Sequence, residues 1–242
     1  MGNDIDISKV VRQHAQMNEF FAGDFAVKGE SVLLKAQMQA DEAAKAELGK
    51  IAEEVGLCRS CELGSSRTNA VAGEGHPNAR IMFVGEAPGA DEDAQGKPFV
   101  GRAGKLLDKI IIACGLKRGE VFIGNILKCR PPGNRDPRPE EIISCLPYLQ
   151  RQIEVIQPEV IVALGAHAAK TLLETNKAIG QLRGRFHEYC GGIGQAPIKL
   201  MPTYHPAYLL RNYSDENRRR VWEDMKKVLV ELDIPIPVAG QK

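Results

Sequence analysis

The fold is decided by the stretch IMFVGEAPG at 81–89, in which four apolar residues run directly into a glycine-rich loop. A short apolar run bounded by turn residues is typical of a strand buried on both faces of a parallel sheet. Similar runs occur at 121–127, 160–164 and 198–203. We therefore predict an α/β fold, with a central four-stranded parallel sheet flanked by helices in three α/β/α layers.

Helical periodicity separates and follows these strands. It predicts helices at 104–114, at 139–156, from residue 166 onward and at 215–232. Upstream, residues 36–55 predict another helix, closed by Gly56. We predict a partly helical or disordered N-terminal extension over 1–45 and one globular domain over 46–242.

The composition is that of a globular protein, with 43% hydrophobic and 26% charged residues in a chain of 242. The chain shows neither an apolar run of membrane-spanning length nor a signal peptide, so we expect a cytoplasmic protein without membrane contact. We also expect a monomer. The net charge of +1 divides into −4 over residues 1–57 and +5 over 58–242. This distribution permits nucleic-acid binding but does not require it.

Polar residues stand where three of the predicted strands end. Glu86 follows the first strand, Asn125 closes the second and His205 follows the fourth. Ligands of open α/β sheets bind beyond the carboxyl ends of the strands. An acid, an amide and an imidazole at one edge predict a site for a polar, planar ligand.

Four of the six cysteines have a spacing that suits metal ligands. Cys58 and Cys61 form a C-x2-C pair, and Cys129 and Cys145 follow later in the chain. A tight turn lets both sulfurs of such a pair face one metal. Spacing alone leaves open whether the later two are buried thiols, and it does not separate zinc from iron–sulfur.

Three separated motifs carry a family resemblance. They are GEAPGADED continuing to GKPFVG (85–101), NILKCRPP (125–132) and HPAYLLR (205–211). Together, over about residues 45–232, they resemble the family 4 uracil-DNA glycosylases, the iron–sulfur enzymes of bacteria and archaea. The resemblance implies that 46–242 is a glycosylase domain that removes uracil from DNA. We accordingly expect a nucleoid-associated protein.

The resemblance also implies roles for individual residues. The cysteines at 58, 61, 129 and 145 would hold a [4Fe-4S] cluster, and Glu86, Asn125 and His205 would be catalytic. Phe99 would stack on uracil, Asn125 would read its polar edge, Glu92 would crowd C5, and His205 would stabilise the departing base. The backbone at Ala87 would line the pocket. Ala87 stands where the wider superfamily often has a water-positioning aspartate, which leaves Glu86 and Glu92 as candidates for that task.

DNA contacts are expected from two segments. Lys128, Arg130, Arg135 and Arg138 lie in or beside a proline-rich basic loop, which we assign to phosphate contacts. Leu209, Leu210 and Arg211 follow His205, where an apolar wedge could fill the gap left by a flipped base.

Other interpretations remain open from the sequence. One is a catalytically weak uracil- or DNA-binding protein of the same fold, and another is a zinc-stabilised nucleotide-binding enzyme. Within a predicted helix at 10–21, Met17, Phe20 and Phe21 faintly resemble a sliding-clamp-binding peptide, although His14 stands where such motifs have glutamine. A local packing helix is the better interpretation of that segment.

Overall fold

The computed structural model describes residues 24–191 and 196–237, with side chains from residue 38 onward. The helices of this part are α1 (Asp24–Leu57), α2 (Leu63–Ser66), α3 (Ala90–Gln95), α4 (Arg102–Ala113), α5 (Pro139–Ile156), α6 (Ala166–Leu172), α7 (Ile179–Leu182), α8 (Pro206–Arg211) and α9 (Asp215–Glu231). The strands are β1 (Glu74–Gly75), β2 (Ile81–Gly85), β3 (Phe122–Asn125), β4 (Val160–Leu164), β5 (His187–Tyr189) and β6 (Ile198–Thr203). Two short 3-10 helices lie at Arg118–Glu120 and Pro132–Asn134. The segment with the clamp-like peptide lies outside the described residues.

The described strands form one mixed sheet in the order β1-β3-β2-β4-β6-β5. Its four central strands are parallel, as predicted. The edge strands β1 and β5 pair antiparallel and were not predicted. They are two and three residues long, too short to show an alternating pattern.

Helices cover both faces of the sheet and confirm the three-layer prediction. Ile81 and Phe83 of β2 point to one face, where they pack in a hydrophobic cluster with α4 and α9. Met82 and Val84 point to the other face and pack in a second cluster with α5 and α6. The alternation follows from the two-residue period of a strand.

The chain divides into two compact units, Met1–Ala43 and Ala44–Lys242. The boundary falls within α1, which is longer than the helix predicted at 36–55. The predicted functional division after residue 45 stays a prediction. Within the described residues, no helix combines the length and apolar character needed to cross a membrane.

A buried carboxylate fixes the end of β6. Asp224 of α9 accepts a hydrogen bond of 2.6 Å from the Thr203 hydroxyl and two, of 3.1 and 2.7 Å, from the Arg183 guanidinium. Because Thr203 is the last residue of β6, this network ties α9 to the point where the chain leaves the sheet toward His205.

The two faces of α4 give a direct test of this packing. Ile111 is fully buried, whereas its neighbour Ile112 is 68% exposed. We expect Ile111→Ala to lower the free energy of unfolding by about 2–5 kcal/mol, because it removes buried methyl groups and leaves a cavity. Ile112→Ala, the matched control, should change it by less than about 0.5 kcal/mol. Urea denaturation followed by circular dichroism measures both, and equal effects would contradict the assigned packing.

Candidate active site

A cavity of about 450 Å3 lies at the carboxyl edge of the parallel strands. Each of these strands supplies part of its lining. Glu86 follows β2, Asn125 closes β3, His167 follows β4 by three residues and His205 follows β6 by two. The structure therefore brings Glu86, Asn125 and His205 together, with Ala87, Glu92 and Phe99 in the same lining.

Asn125 occupies the floor of this cavity. It is only 2% exposed, and its side-chain oxygen Oδ1 has no hydrogen-bond partner in the described part of the protein. An unpaired buried amide oxygen costs about 1–3 kcal/mol, so the site is arranged for a partner that the protein itself does not supply. A ligand with an N–H donor satisfies that requirement.

Gly85 creates the space for Asn125. A Cβ atom at this position would lie 2.4 Å from Asn125 Oδ1 and 2.6 Å from Cζ of the Phe99 ring. Any side chain would therefore displace the amide or the ring. Gly85 and Asn125 face each other in the parallel register of β2 and β3.

Phe99 is buried at the cavity wall with a left-handed backbone, at φ 50°. That conformation is unfavourable for a bulky residue and needs support from its surroundings. Gly104 allows α4 to approach, since a Cβ there would lie 1.9 Å from Phe99 O. Arg118 donates a hydrogen bond of 2.6 Å to Pro98 O and so secures the preceding residue.

Glu92 fixes the glycine-rich loop instead of leaving its backbone free. One carboxylate oxygen accepts from Gly89 N–H at 3.1 Å, and the other accepts from the N–H groups of Val100 and Gly101, both at 2.9 Å. These three backbone donors are thus occupied by the protein itself. Glu92 is held rigidly at the wall and has both oxygens engaged.

His205 presents a defined tautomer to the cavity. Its Nδ1 accepts a hydrogen bond of 3.0 Å from Ala207 N–H, so in the neutral ring the proton sits on Nε2. Burial, together with the nearby charge of Arg211, lowers the pKa of His205 to about 4. The ring centre lies 5.7 Å from that of Phe99. Gly165 permits this placement, since a Cβ there would lie 2.9 Å from His205 Cβ.

Two cavity residues beside Glu86 escaped the sequence analysis. His167 Nε2 lies 4.0 Å from Glu86 Oε2 and 3.6 Å from Asp136 Oδ1. Burial raises the pKa of Glu86. The charge of His167 opposes this increase, whereas the negative charge of Asp136 adds to it. His167 follows the third predicted strand, so the strand-end rule applied there would have found it. Asp136 belongs to a loop, and the sequence carries no comparable signal for it.

The four cysteines predicted as ligands line one small cavity, separate from the cavity that contains Asn125. N–H groups point at their sulfurs, from Arg67 to Cys129 at 3.0 Å and from the Lys128 backbone to Cys145 at 3.2 Å. Burial raises the pKa of Cys129 and raises that of Cys145 to about 11. Buried thiols of this kind need a metal to become thiolates.

The spacing of these sulfurs bears on the kind of metal site. Four thiolates on a single zinc ion lie about 3.8 Å apart, since each Zn–S bond is about 2.3 Å. Among the described residues, no three cysteine sulfurs lie within 4.8 Å of one another. The kind of metal that these cysteines hold stays a prediction.

Two residues predicted to contact DNA are buried. Lys128 is 1% exposed, and its ammonium donates to Asn125 O and to Gln152 Oε1, at 3.0 and 2.6 Å. Burial lowers its pKa to about 8. Leu209 is also buried and packs in the hydrophobic cluster of α4 and α9. The predictions of a phosphate contact for Lys128 and of a wedge for Leu209 are therefore wrong, because neither side chain reaches the surface.

The arginines of the basic loop differ in their partners. Arg135 forms a two-pronged ion pair with the buried Glu141, with distances of 2.9 and 2.5 Å. Arg138 lies 3.4 Å from the exposed Glu62. Arg130 donates to Asn134, and Arg211 is exposed at the cavity mouth. The DNA contacts of these four arginines stay predictions, and the ion pair gives Arg135 a structural role as well.

The structure thus defines an α/β protein with an amide, an aromatic ring and an imidazole in one cavity at the carboxyl edge of its sheet. The uracil DNA glycosylase superfamily model matches residues 72–226. The chain is 50% identical to the type-4 uracil-DNA glycosylase of Sulfurisphaera tokodaii, over 75% of this chain and 83% of that protein. It is 49% identical to the type-4 enzyme of Thermotoga maritima, over 73% and 90% respectively. A type-5 uracil-DNA glycosylase of Pyrobaculum aerophilum is 31% identical, over 56% and 64%. The chain belongs to the uracil-DNA glycosylase superfamily and, within it, to the type-4 family.

The tautomer of His205 can be measured directly. We expect long-range 1H–15N spectra to show a neutral ring protonated at Nε2 from pH 8 down to pH 5. The unfolded ring titrates near pH 6.5. Because the folded pKa is lower, its contribution to stability is present above about pH 6.5 and is lost as the pH falls toward 4. His205→Asn identifies the signal among the five histidines. Titration of this ring near pH 6.5 would contradict the burial argument.

Proposed function

We propose that this protein flips uracil out of DNA and hydrolyses its N-glycosidic bond, leaving an abasic site. The observation that carries the proposal is the buried, unpaired Oδ1 of Asn125 in a cavity that also holds the Phe99 ring. Uracil offers an N–H between two carbonyl groups and a flat face. The names of the related type-4 enzymes agree with this assignment.

Recognition of the base follows from the shapes of these groups. The amide of Asn125 accepts from the uracil N–H through Oδ1 and donates from its NH2 group to a neighbouring carbonyl. The Phe99 ring stacks on the base, and Ala87 lines the pocket. Glu92, held by three backbone N–H groups, forms a rigid wall that would crowd C5 and disfavour the methyl group of thymine.

Catalysis rests on stabilising the departing base. When the bond between the sugar C1′ and the base N1 breaks, its electron pair moves onto the uracil ring and positive charge develops on the sugar. The Nε2–H of neutral His205 donates a hydrogen bond to a uracil carbonyl oxygen as that charge grows. A low pKa suits this task, because the ring stays a neutral donor at pH 7.

Glu86 is the better candidate for orienting the attacking water. Both oxygens of Glu92 are occupied by backbone donors, whereas Glu86 lies at the cavity with His167 Nε2 at 4.0 Å and an Asp136 carboxylate oxygen within 4.8 Å. Its carboxylate would orient the water toward C1′ and take up a proton. Ala87, at the aspartate position of the wider superfamily, cannot do so.

The cysteine site supports a [4Fe-4S] cluster held by Cys58, Cys61, Cys129 and Cys145. Burial of the Cys129 and Cys145 thiols and N–H groups directed at sulfur both fit such a cluster. When bound, it would crosslink the segment after α1 to both ends of the basic loop. Phosphates of the bound DNA would then contact Arg130, Arg138 and Arg211. The protein would bind its substrate as a monomer. The predicted cytoplasmic, nucleoid-associated location stays a prediction.

Base release from defined oligonucleotides tests the activity. We expect wild-type protein to release uracil from single- or double-stranded DNA. Asn125→Ala and His205→Ala should each slow release by about 100- to 1,000-fold, because each removes a donor or acceptor aimed at the base. Asn176→Ala, an exposed amide in a loop, is the control and should leave the rate unchanged. Tight binding of uracil-containing DNA without release would instead support a binding protein of the same fold.

Metal analysis tests the cysteine assignment. Protein purified without oxygen should contain iron and absorb broadly at about 400 nm, as iron–sulfur chromophores do. Cys129→Ser should lose iron because it removes a ligand. Cys190→Ser, at an exposed cysteine outside the site, should retain it. Zinc without iron in the wild type would contradict the assignment.

A further inference from the structure

Lys128 is a buried cation placed between the two sites. Its ammonium donates to Asn125 O at 3.0 Å and to Gln152 Oε1 at 2.6 Å, and neither acceptor is an anion. Gln152 is itself buried and donates from Nε2 to Ala72 O at 2.8 Å. Burying an ammonium costs several kcal/mol unless other groups compensate it. An arrangement with so large a desolvation penalty indicates that the ammonium has a specific role at this position.

The main chain of Lys128 is anchored on the cysteine side. Its N–H donates to Cys145 Sγ at 3.2 Å, and its carbonyl oxygen accepts from Val71 N–H at 2.8 Å. Lys128 also lines the cavity that the four cysteines surround. One residue thus has its backbone at the metal site and its side-chain charge on the carbonyl of Asn125.

We propose that Lys128 is a positioning residue that fixes Asn125 in the geometry that reads the base, using the cysteine site as its support. The inference rests on the proposed function, because it concerns the amide that would bind uracil. The ammonium clamps the carbonyl at the end of β3, and the next residue, Ile126, donates to Gly85 O at 3.0 Å. Together these bonds fix the backbone from which the Asn125 side chain extends.

The chemistry of the cysteine site explains why a cation stands here. Four thiolates with a [4Fe-4S] cluster bring net negative charge to one side of Lys128. The ammonium compensates part of that charge and, on its other side, binds a carbonyl dipole. A neutral side chain of equal length would keep the packing but lose both interactions.

Lys128→Met is the direct test, since methionine is similar in size and carries no charge. We expect single-turnover uracil release to fall about 100-fold, the loss expected when a binding group is displaced by about 1 Å. The affinity for uracil-containing DNA should stay within about twofold, because a buried side chain does not contact phosphate. Lys109→Met, at an exposed lysine of α4, is the matched control and should leave both quantities unchanged.

A double-mutant cycle separates positioning from a general loss of stability. In an Asn125→Ala background, Lys128→Met should slow release no further, because the amide that it positions is gone. A purely structural role would instead slow both backgrounds alike, and that result would overturn the proposal. Independently of activity, the side-chain NH2 signal of Asn125 in 1H–15N spectra should shift in Lys128→Met and stay in place in Lys109→Met.

If Lys128→Met does not fold or does not retain iron, Gln152→Leu tests the positioning role of Lys128 instead. It removes one acceptor of the ammonium without changing any charge, and we expect the Asn125 signal to shift and release to slow by about 10-fold. An unchanged signal and rate would overturn the proposal. If the wild-type protein releases no uracil, the proposed function fails, whereas the Asn125 signal still decides the role of Lys128.

Discussion

The pocket depends on the absence of a side chain at Gly85. The space that a Cβ would occupy holds the amide oxygen of Asn125 and the edge of the Phe99 ring. Parallel pairing of β2 with β3 places Gly85 opposite Asn125. This arrangement brings together the amide proposed to read the polar edge of the base and the ring proposed to stack on its face. Glu86, the next residue along the chain, enters the same cavity as a consequence.

Carboxylates fix the loops around this pocket. Glu92 binds three backbone N–H groups of the glycine-rich loop, and Glu141 binds Arg135 and the N–H of Arg138 in the basic loop. Both acids hold their segments with hydrogen bonds formed before any ligand arrives. Loops that are fixed in this way need no reorganisation when a ligand binds, and such preorganisation favours electrostatic catalysis. In the proposed mechanism, the hydrogen bonds of Glu92 leave Glu86 as the acid that would orient the water.

The proposed metal site and the proposed base pocket share one short segment. Asn125 and Cys129 are four residues apart, and Lys128 between them has hydrogen bonds to both sites. A cluster that holds Cys129 and Cys145 would therefore order more than the loop that faces DNA. It would also fix the strand end that carries the base-reading amide. In this proposal, metal binding by the cysteines would also help to fix the amide that recognises the base.

The sequence by itself determined the central sheet, its helices and the strand ends that carry Glu86, Asn125 and His205, because the period of apolar residues records which segments are buried. Its motifs also determined the family. Only the tertiary structure decided the edge strands and the burial of Lys128 and Leu209. It also decided the hydrogen bonds from the loop backbone to Glu92 and the position of His167 and Asp136 beside Glu86. Whether a lysine faces solvent or the interior depends on partners such as Gln152, 24 residues away in the chain. No local pattern encodes that contact, because folding creates it.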